Sequence, residues 1–381
     1  MIMAWLRDTY VSARSRPPSR TPRRSEDADG RSRATSTVHI PSMNRQSLYF
    51  PAPHETAIRG TDVEPAADEV CVETRVSGIS AGTELLIYRG EAPTDLAADK
   101  TLDTLDGDLS FPLRYGYAAV GDVVAVGDAV DDDWLDRTVF AFNPHETRFA
   151  VPKELVIPVP ETVAPEEMAL FPSVETATSL VLDGRPRVGE DVVVFGAGVV
   201  GLCTIGILSA FPLDRLVVVE PIPERRDHAR ELGADVAIPP AELDAVLDRP
   251  DADRDGVDLV YELSGQPAAL DDAVGAAGYD SRVVVGSWYG AKPAMLDLGT
   301  DFHRDRISFE SSQVSTLAPE TRGRWTKARR AETALDRLRE LDLASLITHH
   351  VPFSDASEAY RLLDDREDGV LQVLLTYADA E

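Results

Sequence analysis

Asp191-Val192-Val193-Val194-Phe195-Gly196-Ala197-Gly198-Val199-Val200-Gly201 decides how this chain folds. After Asp191 come four apolar, β-prone residues, which read as a buried strand. Three glycines follow at the spacing of a turn that opens a helix, and Leu202 to Ala210 continues as that apolar helix. A second strand, Leu216-Val217-Val218-Val219, ends at Glu220. Gly196 permits the tight turn, Gly198 lets the backbone approach a pyrophosphate, and Gly201 lets helix and strand pack closely. Val199 and Val200 begin the helix, whose free N–H groups and positive dipole end face the phosphates. Glu220, 19 residues beyond Gly201, stands where a carboxylate accepts both ribose hydroxyls of the adenosine half. The stretch predicts a nicotinamide-dinucleotide site. A flavin or S-adenosylmethionine site on the same turn, or a fold without ligand, are the alternatives.

Glu220 also bears on the choice of cofactor. A 2′-phosphate about 4 Å from that carboxylate meets repulsion of roughly 4 kcal/mol at an effective dielectric of about 20. NAD is therefore expected, with NADP possible because Arg225 and Arg226 follow closely and could compensate.

Outward from this stretch, short apolar strands alternate with helical segments. Val192–Phe195, Leu216–Val219, Leu259–Tyr261 and Val283–Val285 are the strands of a doubly wound α/β unit with a parallel sheet, expected over residues 165–305. Residues 45–164 instead read as short strands and turns, with Val70–Val76, Ala118–Val126 and Thr138–Phe142 as strands. Residues 306–381 predict a helix (Lys327–Leu341), a strand (Ile347–Val351), a helix (Ala356–Leu363) and a last strand (Gly369–Tyr377). Residues 1–44 carry eight basic and four acidic residues among Ser, Pro and Thr, and read as a disordered basic extension. Arg23-Arg24 has no apolar stretch after it, so an export signal is rejected, and a native start near Met43 is expected.

The chain has 381 residues, 66 of them Asp or Glu against 38 Lys or Arg, for a net charge of −28. Only four of the basic residues are Lys. The acidity is dispersed, as in Asp131-Asp132-Asp133, residues 251–255 and residues 364–368, which suits a protein working at high salt, where charge is screened. Such a field repels nucleic acid and anionic lipid, so neither is an expected partner. No run of about 18 apolar residues predicts a membrane span. Two cysteines, Cys71 and Cys203, exclude a disulfide framework and a four-cysteine zinc site, and fit a reducing cytoplasm.

The order of these parts resembles the medium-chain dehydrogenase/reductase superfamily of the zinc alcohol dehydrogenase type. The resemblance covers nearly everything from Ser47 to Tyr377. Gly78-Ile79-Ser80-Ala81-Gly82-Thr83-Glu84 is similar to the family's GICGTD segment, and Tyr115-Gly116-Tyr117-Ala118 through Gly121 to its GHExxG segment. Ser264-Gly265 and Val283-Val284-Val285-Gly286 resemble nucleotide-side loops, so Ser264, Gly265 and Gly286 join Arg225 as expected cofactor contacts. The ISxGTE-type segment is similar to the bacteriochlorophyllide-dehydrogenase-like branch. The resemblance implies a GroES-like β-rich catalytic domain beside a Rossmann domain, with residues 306–381 completing the catalytic domain. It also implies a homodimer or homotetramer pairing near Val283 to Leu298, where Trp288-Tyr289 would otherwise be exposed.

The departures bear on the chemistry. The family's cysteine position holds Ser80 or Ala81, its histidine position Tyr117 and the following glutamate position Ala118; Glu175 is the ligand-type residue that survives. Serine and tyrosine are poor substitutes for zinc ligands, so no metal is expected. Hydrogen-bond donors must then stabilise charge on the substrate oxygen. Thr83 matches the family's relay hydroxyl, and Tyr117 offers a phenol, with Tyr115 expected on the same face. His145, on a loop between strands, suits acid–base work, and Glu175 is a further candidate. His54, His349 and His350 read as structural. The expected activity is zinc-independent hydride transfer to or from an alcohol, a carbonyl or an activated double bond of a small molecule. A zinc enzyme with atypical ligands such as His145 and Glu175, and a non-catalytic NAD(P)H sensor, are the alternatives.

Overall fold

The computed structural model of the chain describes residues 43–99, 101–102, 104–105, 107–248, 255–366 and 369–377. The expected basic extension, apart from Met43 and Asn44, lies outside these residues, as does most of the acidic run 251–255. Two strands, β1 (Met43–Tyr49) and β2 (Ala57–Val63), pair antiparallel as a ribbon of their own. The expected short strands follow as β3 (Glu69–Gly78), β4 (Ala119–Val126), β5 (Thr138–Ala141), β6 (Arg148–Pro152) and β7 (Val156–Pro158). Strand β3 is the spine of this part. It pairs with β4 on one side and with β6 through residues 69–73, and two register shifts against β4 bend it. Helix α1 (Ala81–Tyr88) leaves the end of β3 within three residues, so the Gly78-to-Glu84 segment turns sharply from strand to helix.

Helix α2 (Phe171–Gly184) leads into β8 (Asp191–Phe195), which is buried along its whole length, as a central parallel strand must be. It is followed by α3 (Val199–Leu208), β9 (Arg215–Val219), α4 (Pro223–Glu231), β10 (Val236–Ile238), β11 (Val257–Glu262), α5 (Pro267–Ala276), β12 (Ala277–Val285) and β13 (Ser308–Ser311). These strands stand in the order β10-β9-β8-β11-β12-β13, every pair parallel. This is the doubly wound order, in which the chain changes direction between β8 and β11 and opens a crevice at the strands' carboxyl ends.

Helix α6 (Lys327–Glu340), β14 (Ile347–Pro352), α7 (Ala356–Asp364) and β15 (Gln372–Thr376) complete the chain. β15 pairs antiparallel with β3, making the sheet β14-β15-β3-β4-β5-β7. The expected boundary at residue 305 needs correcting. Ser308–Ser311 pairs with Arg282–Val285 in the parallel sheet, and Leu335 and Leu338 of α6 share a buried cluster with Val192 and Val194 of β8. The C-terminal segment therefore rejoins the first sheet only from β14. The same cluster takes in Val120 and Phe140 of the first sheet, so the two parts share one core where α2 passes between them.

Candidate active site

The glycine turn joins the carboxyl end of β8 to α3. Gly196 has φ +95°, and a Cβ on Gly201 would stand 2.2 Å from the Gly196 carbonyl oxygen. Gly198 is the N-cap of α3, and a Cβ there would meet nothing within 4 Å, so its exposed side faces open space. Val199 and Val200 form the first turn, half-buried. At the end of β9, Glu220 is buried, with Oε2 accepting from the Ala197 N–H at 2.8 Å and Oε1 from the Ile222 N–H at 3.0 Å. The carboxylate thus ties the glycine turn to the neighbouring strand, and each oxygen retains a lone pair. Two arginines stand close by: Arg225 lies in the field of Glu220, and both donate to backbone carbonyls. Arg225 donates to the Val370 carbonyl at 3.1 Å, and Arg226 to the Glu220 and Pro221 carbonyls at 2.7 and 2.8 Å. A small crevice lined by Ile222, Arg225, His228, Gly369 and Val370 lies beside them.

Ser264, Gly265 and Gly286 stand at the carboxyl ends of β11 and β12, on the same edge as the glycine turn. They are organised by Glu262, a fully buried residue that the sequence did not single out. Its Oε1 accepts from the Ser264 N–H at 2.8 Å and from the Ser264 hydroxyl, and its Oε2 from the Tyr289 hydroxyl. Gly265 donates its N–H to Ser287 Oγ at 2.9 Å. Tyr289, expected at a surface, is therefore turned inward, whereas Trp288 stays 37% exposed.

Across the crevice, Tyr117 donates its hydroxyl to Ser80 Oγ, and the Thr83 hydroxyl lies near enough to lower the phenol's pKa. Ser80 precedes α1 and Thr83 lies in its first turn, so one sharp strand–helix junction presents both hydroxyls to the phenol. Burial pushes the Tyr117 phenol up to about 12, against the lowering effect of Ser80 and Thr83. Tyr115, expected on the same face, is almost fully buried, its ring edge-on to Tyr117 at 6.0 Å. Thr83, Tyr117 and the unpredicted Ser80 are thus brought together.

His145 and Glu175 are held differently from the expectation. His145 is fully buried, with Nδ1 2.7 Å from Ser77 Oγ and Nε2 3.0 Å from Glu84 Oε2. Both ring nitrogens are committed inside the protein, so the ring does not reach a bound substrate. Glu175, in α2, is 6% exposed, and its Oε1 receives two guanidinium donors of Arg330 at 2.9 and 3.3 Å. Lys327 stands in the field of Arg330, Glu175 and Asp99, its pKa lowered chiefly by burial. His54, His349 and His350 lie apart from these groups; His54 pairs with Asp364 at 3.3 Å, and His349 Nδ1 with Thr348 at 3.0 Å.

Comparison with known proteins agrees with this geometry. The zinc-binding dehydrogenase family matches residues 199–331. The D-guloside 3-dehydrogenase of Escherichia coli (strain K12) is 25% identical over 329 residues, covering 82% of this chain and 93% of that protein. A 2-desacetyl-2-hydroxyethyl bacteriochlorophyllide A dehydrogenase of Cereibacter sphaeroides is 29% identical over 340 residues, covering 84% and 94%. These matches make the chain similar to zinc alcohol dehydrogenase-like medium-chain dehydrogenases. A short chain alcohol dehydrogenase from E. coli CFT073, solved with NADH, shares the fold with a TM-score of 0.69 at 22% identity, covering 87% of this chain and 99% of that one.

Two groups that the superfamily implies can be tested against the residues present. The nicotinamide dinucleotide fits: the glycine turn, the α3 N-terminus and Glu220 are arranged for pyrophosphate and ribose. Zinc does not fit. Tyr117, which the resemblance sets at the superfamily's histidine position, carries a hydroxyl bonded to that of Ser80, one of the two candidates for the cysteine position, and Glu175 is tied to Arg330. Both cysteines are buried and unpaired, their thiols pushed up to about 12 by desolvation. Among the described residues no three His, Cys, Asp or Glu side chains are grouped to hold a metal ion.

Proposed function

We propose that this protein is a zinc-independent, NAD-preferring oxidoreductase acting on an alcohol, a carbonyl or an activated double bond of a small molecule. The hydroxyl cluster of Tyr117, Ser80 and Thr83 supports this most directly, because it replaces the metal-binding side chains with proton donors at the same place. The bound nicotinamide supplies the hydride for reduction and takes it up for oxidation. The chain's part is to orient the carbonyl and move a proton. As negative charge grows on the substrate oxygen, the Tyr117 O–H donates to it. A phenol near 12 stays protonated at working pH, yet is far more acidic than the alcohol being formed, so the transfer runs downhill. Ser80 and Thr83 then stabilise the phenolate until it is reprotonated, and oxidation runs the same steps backwards. NAD is favoured because the buried Glu220 carboxylate, at the end of β9, repels a 2′-phosphate and accepts ribose hydroxyls.

The test is oxidation of NADH by a panel of aldehydes, ketones, enones and quinones, with wild type and Tyr117→Phe. The expected result is turnover by the wild type and a kcat roughly 100- to 1,000-fold lower in the variant, with NADH affinity unchanged. NADH binding without turnover of any panel member would mark a sensor instead. A fully active Tyr117→Phe would reject the assignment of the proton donor. Free, buried cysteines and the absence, among the described residues, of a helix fit to cross a membrane support a cytoplasmic location. A homodimer or homotetramer pairing near Val283 to Leu298, where Trp288 is exposed, completes the proposal; a monomer in light scattering would refute it.

A further inference from the structure

Glu84 and His145 form a buried pair directly beneath the hydroxyl cluster, both fully inaccessible to solvent. Glu84 Oε2 is shared by His145 Nε2 at 3.0 Å and the Tyr360 hydroxyl. Its Oε1 accepts the Ser80 N–H at 2.7 Å. His145 continues through Nδ1 to Ser77 Oγ at 2.7 Å, and Ser77 Oγ to the Tyr377 hydroxyl at 2.8 Å. The network therefore joins β3, α1, the loop before β6, α7 and the end of β15.

Burying a carboxylate and an imidazole is poor value for stability, since well-packed apolar side chains of the same volume commonly do as well or better. What the pair does is geometric. Each hydroxyl of the cluster is one step from it. Ser80 is held by its N–H on Glu84, and Thr83 is the residue before Glu84 on the first turn of α1. Tyr117 follows Gly116, whose backbone lies against the His145 ring; a Cβ at Gly116, where φ is +117°, would stand 2.7 Å from His145 Cδ2 and Nε2. Glycine at 116 thus lets the segment carrying Tyr117, just before β4, rest on the imidazole that Glu84 fixes.

We propose that Glu84 and His145 are positioning residues of this enzyme, setting the distance between the Tyr117 phenol and the Ser80 and Thr83 hydroxyls without touching substrate. The inference rests on the function proposed above. Its test uses full-length Glu84→Leu and Gly116→Ala, the second leaving Glu84 and His145 chemically intact while displacing the ring. Two readouts are taken. Hydrogen exchange of the Ser80 amide, which needs no turnover, is expected to quicken more than tenfold in Glu84→Leu. Turnover of NADH with the best carbonyl of the panel is expected to fall about 10- to 100-fold in both variants, comparable to the loss of other outer-shell partners, with NADH affinity unchanged. Combining Gly116→Ala with Tyr117→Phe should cost little beyond Tyr117→Phe alone, because both act through one element. Unchanged Ser80 exchange, or a double variant whose losses multiply, would overturn the positioning role. If Tyr117→Phe is itself fully active, the assignment of the proton donor fails, and if no panel member is turned over, the proposed function fails; the exchange readout still judges the network in either case. Should Glu84→Leu not fold, Gly116→Ala and the double variant carry the test.

Discussion

At the scale of the residue, the proposed preference for NAD rests on Glu220. Its buried carboxylate takes one N–H from the glycine turn and one from Ile222. Replacing it by serine removes the charge that repels a 2′-phosphate. Glu220→Ser is expected to weaken NADH binding at least tenfold while NADPH binding improves, measured by fluorescence titration; an unchanged preference would move the discrimination elsewhere. Glu220 was legible because an acid at the end of the second strand sits at a fixed sequence distance from the glycines. Thr83 and Tyr117 were legible from the motif that surrounds them. Glu84 and His145 were legible as residues but not as a pair: they are 61 positions apart, and only the fold closes that gap. The same holds for Glu175 and Arg330, separated by 155 positions, whose ion pair turns a candidate ligand into a structural anchor.

Among the elements, the turn from β8 into α3 separates two jobs of glycine. Gly201 is needed by the fold, because a Cβ there would press to 2.2 Å from the Gly196 carbonyl oxygen. Gly198 is not needed by the packing of the fold, because a Cβ there meets only space, and the proposed function assigns that space to the ligand. Gly201→Ala is therefore expected to lower stability by about 1–3 kcal/mol as well as binding. Gly198→Ala should keep the wild-type melting temperature and lose NADH affinity at least tenfold. Calorimetry beside the same titration distinguishes them, and equal melting losses in both would contradict this division. The strands at the centre of the parallel sheet were readable because burial on both faces demands unbroken apolar runs, as in β8. Strands β10 and β13 were not, being three and four residues long at the sheet's two edges, where β13 carries Ser308, Glu310 and Ser311. Missing β13 is what set the expected domain boundary too early.

For the molecule as a whole, its buried tyrosines couple stability to alkali. Desolvation raises the phenols of Tyr115, Tyr117, Tyr261, Tyr360 and Tyr377, with Tyr117 at about 12. In the unfolded chain a tyrosine ionises near 10. The native state thus favours the neutral phenol, and this contribution is complete below about pH 10. It is lost progressively as pH rises above about 10, through about 12 for Tyr117 and beyond that for the others. Unfolding monitored with pH should show a steep fall in melting temperature beginning near pH 10, and a flat profile from pH 9 to 12 would show that these hydroxyls are solvated.

The central claim is that a hydroxyl cluster stands in for the superfamily's metal. The most direct measurement is the NADH-dependent turnover number of wild-type protein after exhaustive chelation, with its metal content determined alongside. The account predicts undiminished turnover in protein free of zinc. Activity that disappears on chelation and returns in proportion to added zinc would contradict it.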